Sequence, residues 1–198
     1  MVEEDNEFLS AEDKSIDYKR ATSIYDFVET DINGEEVRFD KYRGHVCLIV
    51  NIATKCGLAL TNFQQLAELK SRFFEQGLRI LCFPSDSFGM EPGTSEEIKS
   101  YLEDLGLDIG DVFQKTDVNG SSGCNLWKYL KRRKSGTFGS FIKWNFTKFI
   151  VDMTGKPVER HGPYTDPIEL VAALEKYLPT DQEMQDMKDG GFQNDTTQ

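Results

Sequence analysis

The sequence predicts an α/β domain built on a mixed sheet with helices on both faces. Three observations carry that expectation. His45-Val46-Cys47-Leu48-Ile49-Val50-Asn51-Ile52-Ala53 is apolar on both alternating faces, as a central strand covered from each side would be. From Thr61 the apolar residues Phe63, Leu66, Leu69 and Phe73 recur at helical spacing and stop at Gly77. Leu78-Arg79-Ile80-Leu81-Cys82-Phe83 then follows as a second buried strand. A strand, a helix and a strand in that order make a parallel pair joined by a right-handed crossover. Late in the chain, the runs 146–151 and 158–161 flank Asp152-Met153-Thr154-Gly155-Lys156, a glycine-containing hairpin turn that adds antiparallel strands.

The other elements fit around this core. Ahead of the central strand, the runs 24–28 and 36–39 flank Asp31-Ile32-Asn33-Gly34. Asn and Gly both tolerate positive φ, which predicts a small N-terminal β-hairpin. After the second strand, Thr94 and Glu97 form a capping box ahead of Ile98, Tyr101, Leu102 and Leu105, so a helix starts there. Leu126, Tyr129 and Leu130 predict a short helix running into Lys131-Arg132-Arg133-Lys134. Asp166-Pro167-Ile168-Glu169 supplies an N-cap, a proline at N1 and a glutamate at N3. The helix they open has an apolar side of Ile168, Leu170, Val171, Leu174, Tyr177 and Leu178. Hairpin, β-α-β, helix, hairpin, helix is the order of a thioredoxin-like fold.

The chain has 198 residues and a formal net charge of −11. Residues 1–20 hold seven acids and three bases, and residues 180–198 hold five acids and one base. Each end thus supplies −4 and residues 21–179 only −3. Both ends are polar and lack periodicity, which predicts acidic disordered tails around one domain at 21–179. A near-neutral body has no broad basic face for a run of phosphates, so nucleic-acid binding is not expected. The longest apolar run, Val46 to Val50, is far shorter than a membrane span. The acidic start Met1-Val2-Glu3-Glu4-Asp5-Asn6-Glu7 is unlike a secretory signal, and a cytoplasmic location is expected. Without a signal, Cys47, Cys56, Cys82 and Cys124 read as reduced thiols rather than a disulfide framework.

Cys56 is the thiol best placed for chemistry. It lies at the carboxyl end of the central strand just before a helix, the crevice where open α/β sheets bind ligands. The helix start and the adjacent Lys55 favour a thiolate, the form that attacks a peroxide or disulfide. The plainer alternative is a small turn residue. Cys47 and Cys82 fall within apolar runs and read as packed hydrophobes. Cys124, in Gly120-Ser121-Ser122-Gly123-Cys124-Asn125, lies in a glycine- and serine-rich loop read as exposed and mobile, as either a resolving thiol or a spectator. Phe141-Ile142-Lys143-Trp144-Asn145-Phe146-Thr147-Lys148-Phe149 is rich in aromatics. In it, Trp144 and Asn145 offer neutral donors to a sulfur anion or a peroxide oxygen, or else form a core-facing strand edge. Lys131, Arg132, Arg133 and Lys134 would attract carboxylates or anionic headgroups, or form a solvated helix end. His45 and His161 lack a second ligand at metal-site spacing, so no metal is claimed.

Four segments, in the same order, resemble the glutathione peroxidase family over about residues 22 to 178. They are Asn51-Ile52-Ala53-Thr54-Lys55-Cys56-Gly57-Leu58, then Phe83-Pro84 with Phe88-Gly89 and Glu91-Pro92-Gly93, then Asp117-Val118-Asn119-Gly120, then Trp144-Asn145-Phe146-Thr147-Lys148-Phe149. The resemblance implies reduction of hydrogen peroxide and organic or lipid hydroperoxides by Cys56, with Trp144 and Asn145 bonding the nucleophile. Glutathione or thioredoxin would restore the thiol, and no cofactor is implied. The short connection between Lys134 and Trp144 resembles the monomeric, phospholipid-hydroperoxide type.

The departures are specific. Where the family has Phe-Pro-Cys-Asn-Gln-Phe-Gly, this chain has Phe83-Pro84-Ser85-Asp86-Ser87-Phe88-Gly89, so Ser87 stands in the place of the catalytic Gln. A serine hydroxyl is shorter than an amide, and Asp86 directed inward would oppose a thiolate. Ala59 replaces a usual Thr, and no resolving cysteine stands near Glu103 and Asp104. Two functions are therefore expected: a thiol peroxidase protecting against oxidative stress, or a catalytically weakened redox sensor or binding protein on the same fold. A thiol-disulfide oxidoreductase ranks last, because Cys56-Gly57-Leu58-Ala59 has no second cysteine.

Overall fold

In the computed structural model, which describes residues 16–136 and 139–190, β3 (Val46–Ile52) is the middle strand of a five-stranded sheet. It pairs in parallel with β4 (Leu78–Pro84), which pairs in parallel with β5 (Asp111–Val112). On its other side it pairs antiparallel with β6 (Lys148–Val151), and β6 with β7 (Pro157–His161). The order β5-β4-β3-β6-β7, with helices on both faces, is the predicted thioredoxin-like fold.

Both faces of β3 are buried, as its unbroken apolar run requires. Val46, Leu48, Val50 and Ile52 face one layer with Phe63, Leu66, Leu69 and Phe73 of α1 (Ala59–Phe73). Ile98 and Leu102 of α2 (Ser95–Leu105) join them, with Leu170, Leu174 and Leu178 from the closing segment. Cys47 and Ile49 face the other layer, with Leu126, Trp127, Tyr129 and Leu130 of α3 (Asn125–Arg133) and the aromatics Tyr25, Phe27, Phe39 and Tyr42. The capping box opens α2 as expected: Thr94 Oγ1 accepts from Glu97 N–H at 3.3 Å and Glu97 accepts from Thr94 N–H at 2.8 Å.

Several expectations need correction. The hairpin is β1 (Val28–Thr30) and β2 (Glu36–Arg38), while Ile24–Asp26 is a 3-10 turn instead of strand. Ser23 and Asp26 bond the free N–H groups of that turn, which outweighs its apolar pattern. The hairpin loop is organised by Asp31, whose carboxylate accepts from Asn33 N–H and Glu35 N–H at 2.9 and 2.8 Å. The closing helix is a 3-10 turn, Pro167–Leu170, continued by a single turn, α4 (Val171–Leu174).

Within the predicted C-terminal tail, Asp181–Gly190 forms a helix, α5. Thr180 caps it, its N–H and hydroxyl both donating to Glu183 at 2.8 Å while Glu183 N–H returns to Thr180 Oγ1 at 3.3 Å. The predicted tails at 1–15 and 191–198 lie outside the described residues.

Close packing requires glycine at position 110. Gly110, just before β5, has φ +116° and a Cβ there would stand 2.3 Å from the Ile80 carbonyl oxygen in β4. Gly110→Ala is expected to cost more than about 2 kcal/mol through strain and loss of the β4–β5 contact. Urea unfolding checks this: the midpoint should fall with the slope unchanged.

Candidate active site

Cys56 sits in the turn between β3 and α1, at the carboxyl end of the sheet. Its N–H donates to Ala53 O at 3.3 Å and its carbonyl accepts from Ala59 N–H at 2.9 Å, so the residue is wrapped between strand end and helix start. It is 7 % exposed within the layer of α1, shielded but not sealed. The first turn of α1 holds no acid and its last turn holds Lys70 and Arg72, so the helix macrodipole presents its positive end toward Cys56 with no acid of the helix's own first turn to offset it.

A buried carboxylate holds this turn. Glu91 is wholly buried, and its two oxygens accept from the N–H and the hydroxyl of Thr54. Such a group is stable in the interior only while its acceptors are occupied, so Glu91 fixes Thr54 two residues before Cys56. Met90 O accepts from Lys55 N–H at 3.1 Å, and Lys115 Nζ donates to Glu91 O and Gly93 O at 3.3 and 2.8 Å. Asp86, exposed, accepts from Glu91 N–H at 2.9 Å through Oδ1. A cavity of about 310 Å³ adjoins the turn, lined by Thr54, Lys55, Glu91, Pro92, Gly93 and Tyr101 among others. Lys55 Nζ lies 5.5 Å from the centre of the Tyr101 ring.

The segment 144–147 is tied to the same strand end. Asn51, the last residue of β3 on its face, is the polar exception in an apolar strand. Its Nδ2 donates to Trp144 O at 3.3 Å, its Oδ1 accepts from Thr147 N–H at 2.9 Å, and its carbonyl accepts from Phe146 N–H at 2.7 Å. Phe146 has φ +62°, a conformation unusual for a bulky residue and a source of local strain. Its ring packs 5.8 Å from Phe63 of α1. Asn145 is wholly buried, yet neither its Nδ2 nor its Oδ1 has a partner. An unpaired buried amide costs roughly 1–3 kcal/mol, and a ligand oxygen would satisfy its donor. The Trp144 ring, half-buried, lies 5.3 Å from Phe88.

The remaining sequence candidates have partners of their own. Ser87 Oγ accepts from Ser85 Oγ at 3.0 Å and from Val118 N–H at 3.2 Å, and donates to Asp117 Oδ1 at 3.5 Å. Cys124 is not in a freely mobile loop: it is the N-cap of α3, its N–H donates to Asp117 O at 3.2 Å, and it packs with the layer opposite that of Cys56. Burial and the nearby Glu29 carboxylate push its thiol up. Burial does the same to Cys47 and Cys82, and all four cysteines are free thiols.

In the basic run Arg132 and Arg133 are exposed while Lys131 and Lys134 are half-buried. Lys131 Nζ donates to Val118 O and Asn119 Oδ1, Arg133 donates to Ala21 O at 3.1 Å, and Arg132 is exposed. Asn119 in turn bonds the backbone of Ile142, Nδ2 to O at 2.7 Å and Oδ1 from N–H at 3.0 Å. Lys131 is thus linked through Asn119 to the backbone of Ile142, two residues before Trp144.

Sequence alone does not single out Glu91, Asn51 and Lys148 as parts of the site. For Lys148 a signal exists: it shares an inward register with Phe146 and Ile150, where a charge is unexpected.

Comparison with known proteins gives one consistent result. The sequence profile described as glutathione peroxidase matches residues 24–131. A glutathione peroxidase of Schistosoma mansoni is 48% identical over 166 residues, covering 83% of this chain and 98% of that protein. The phospholipid hydroperoxide glutathione peroxidase of Callithrix jacchus is 44% identical, covering 82% of each. The crystal structure of T. cruzi GPX1 superposes with a TM-score of 0.66 at 29% identity, over 79% of this chain and 96% of that one. No described helix is long and apolar enough to cross a membrane.

Proposed function

The chain belongs to the glutathione peroxidase family, and from that premise we propose that Cys56 is the peroxidatic thiol, with Trp144 and Asn145 as its neutral donors. The family makes the protein a thiol-dependent oxidoreductase acting on peroxides. The Cys56 thiolate attacks one peroxide oxygen, an S–O bond forms and the O–O bond breaks. The departing oxygen takes up a proton and leaves as water or an alcohol, and Cys56 becomes a sulfenic acid. One external thiol condenses with it, releasing water, and a second displaces Cys56 from the mixed disulfide.

The observation that carries this reading is the buried, unpartnered amide of Asn145, on a loop bonded to the strand that delivers Cys56. Preorganised donors in a water-poor site stabilise developing charge better than water does. Glutathione or thioredoxin would be the external thiol, and direct attack by it is favoured over Cys124, which packs in the opposite layer. Hydrogen peroxide and organic or lipid hydroperoxides are the substrates that fit this reading. Exposed Arg132 supports attraction of a carboxylate or anionic headgroup. A cytoplasmic monomer completes the proposal, with residues 21–179 as the working domain. A second reading, a slow redox sensor, is favoured by the engagement of Ser87 with Val118 and Asp117.

One equivalent of peroxide is expected to consume one thiol. Trapping with dimedone and peptide mass spectrometry should find the adduct on Cys56, with Cys47, Cys82 and Cys124 unmodified. An adduct confined to any other cysteine would sink the assignment.

A further inference from the structure

We infer that Lys148 is a positioning residue of the peroxidase site, holding the Asn145 loop through the carbonyl of Phe146. The inference rests on the reading of Asn145 above. Lys148 is wholly buried in β6, where the alternating pattern calls for an apolar side chain. Its Nζ donates to Phe146 O and to Thr165 O, each at 2.8 Å. The ammonium thereby joins the residue after Asn145 to the loop entering the closing helix. Asp166 and Glu169 on that loop and turn are the carboxylates acting on it, and its register partner across β7 is His161, which bonds Glu159 at 2.9 Å. Burial pushes the ammonium down to about 8, against the opposing pull of the two carboxylates. The fold thus keeps a charge that burial disfavours. In return two carbonyls are bonded that an apolar residue would leave unpaired.

The consequence for Asn145 follows from the backbone. Phe146 is the non-glycine residue with positive φ among the described residues, and such a conformation persists only when its surroundings over-determine it. Its N–H is bonded to Asn51 O and its carbonyl to Lys148, so the peptide groups on both sides of the strained residue are fixed. The Asn145 amide has no partner of its own and takes its direction from those two peptides. Without Lys148 the second peptide keeps only the bond of its Thr147 N–H to Asn51 Oδ1, and its unpaired carbonyl turns as Phe146 relaxes toward an ordinary φ, carrying Asn145 with it. A displacement of about 1 Å in a positioned group can cost on the order of a hundredfold in rate.

The test is a double-mutant cycle on the full chain. Lys148→Met and Lys148→Gln, the second keeping an N–H donor group, are each crossed with Asn145→Ala, and single-turnover sulfenate formation with hydrogen peroxide is measured on folded protein. Each Lys148 variant that folds should lose about tenfold or more when Asn145 is present, and less than about twofold in the Asn145→Ala background. A merely structural lysine would give the same loss in both backgrounds, and that result, or full activity in a folded Lys148 variant, overturns the inference. If Asn145→Ala alone is as active as wild type, the reading of Asn145 itself fails. If it loses activity while the cycle is additive, only the role of Lys148 fails.

Discussion

Cys56→Ser is expected to leave less than about one part in a thousand of the wild-type peroxide turnover. The substitution keeps shape and nearly keeps volume at a residue only 7 % exposed, so loss of fold does not explain the result. Thermal melting should move by no more than about 2–4 °C, the shift that roughly 1 kcal/mol produces in a chain of this size. The chemistry changes far more. A serine hydroxyl stays protonated where a thiol ionises, and the positive end of α1 is too weak to close that gap, since a helix terminus contributes about 0.3–1 kcal/mol in ordinary settings. The other thiols offer no substitute: burial pushes Cys47, Cys82 and Cys124 up, toward the inert protonated form. Steady-state assays with hydrogen peroxide and glutathione, then with thioredoxin, check the prediction. Equal rates for the wild type and the variant would remove Cys56 from the mechanism.

The reach of the sequence follows from how far apart the interacting residues lie. The β3-α1-β4 core is legible because each element carries a long, one-period apolar pattern. Cys56 is legible for the same reason, as the position where such a strand ends. By contrast β5 has two residues, too few for any period, and Ile24–Asp26 is decided by the caps Ser23 and Asp26 rather than by its apolar spacing. The helix Asp181–Gly190 lacks a clear apolar stripe, and its one local signal is the capping box of Thr180 and Glu183. The supporting residues are different in kind. Thr54 meets Glu91 across 37 positions, and Asn51 meets Thr147 across 96. No local pattern announces such pairs. What composition does offer is the anomaly, a polar or charged residue in an inward register, as at Asn51 and Lys148.

Ser87→Gln should raise the rate of the peroxide reaction by about tenfold or more. The Ser87 hydroxyl has one proton, directed to Asp117 Oδ1, and its oxygen accepts from Ser85 and Val118 N–H. That single proton is all it can offer a sulfur or oxygen anion. A glutamine at that position carries two N–H protons on a longer arm. The next residue, Phe88, contacts the Trp144 ring, so the backbone already runs beside the candidate site. A hydrogen bond to a charged group contributes about 1.5–3 kcal/mol, equivalent to about ten- to more than a hundredfold in rate if it forms only in the transition state. Against this stands the lost Val118 bond, worth about 1 kcal/mol of stability, which lowers the melting temperature without touching the chemical step. The two effects are read separately, by stopped-flow single turnover and by thermal unfolding. A gain in rate with a small loss in melting temperature would mean that the natural chain works below the capacity of its own fold, as a slow sensor must. A rate that does not move would show that Asn145 and Trp144 already supply the stabilisation, and the sensor reading would lose the observation that favours it.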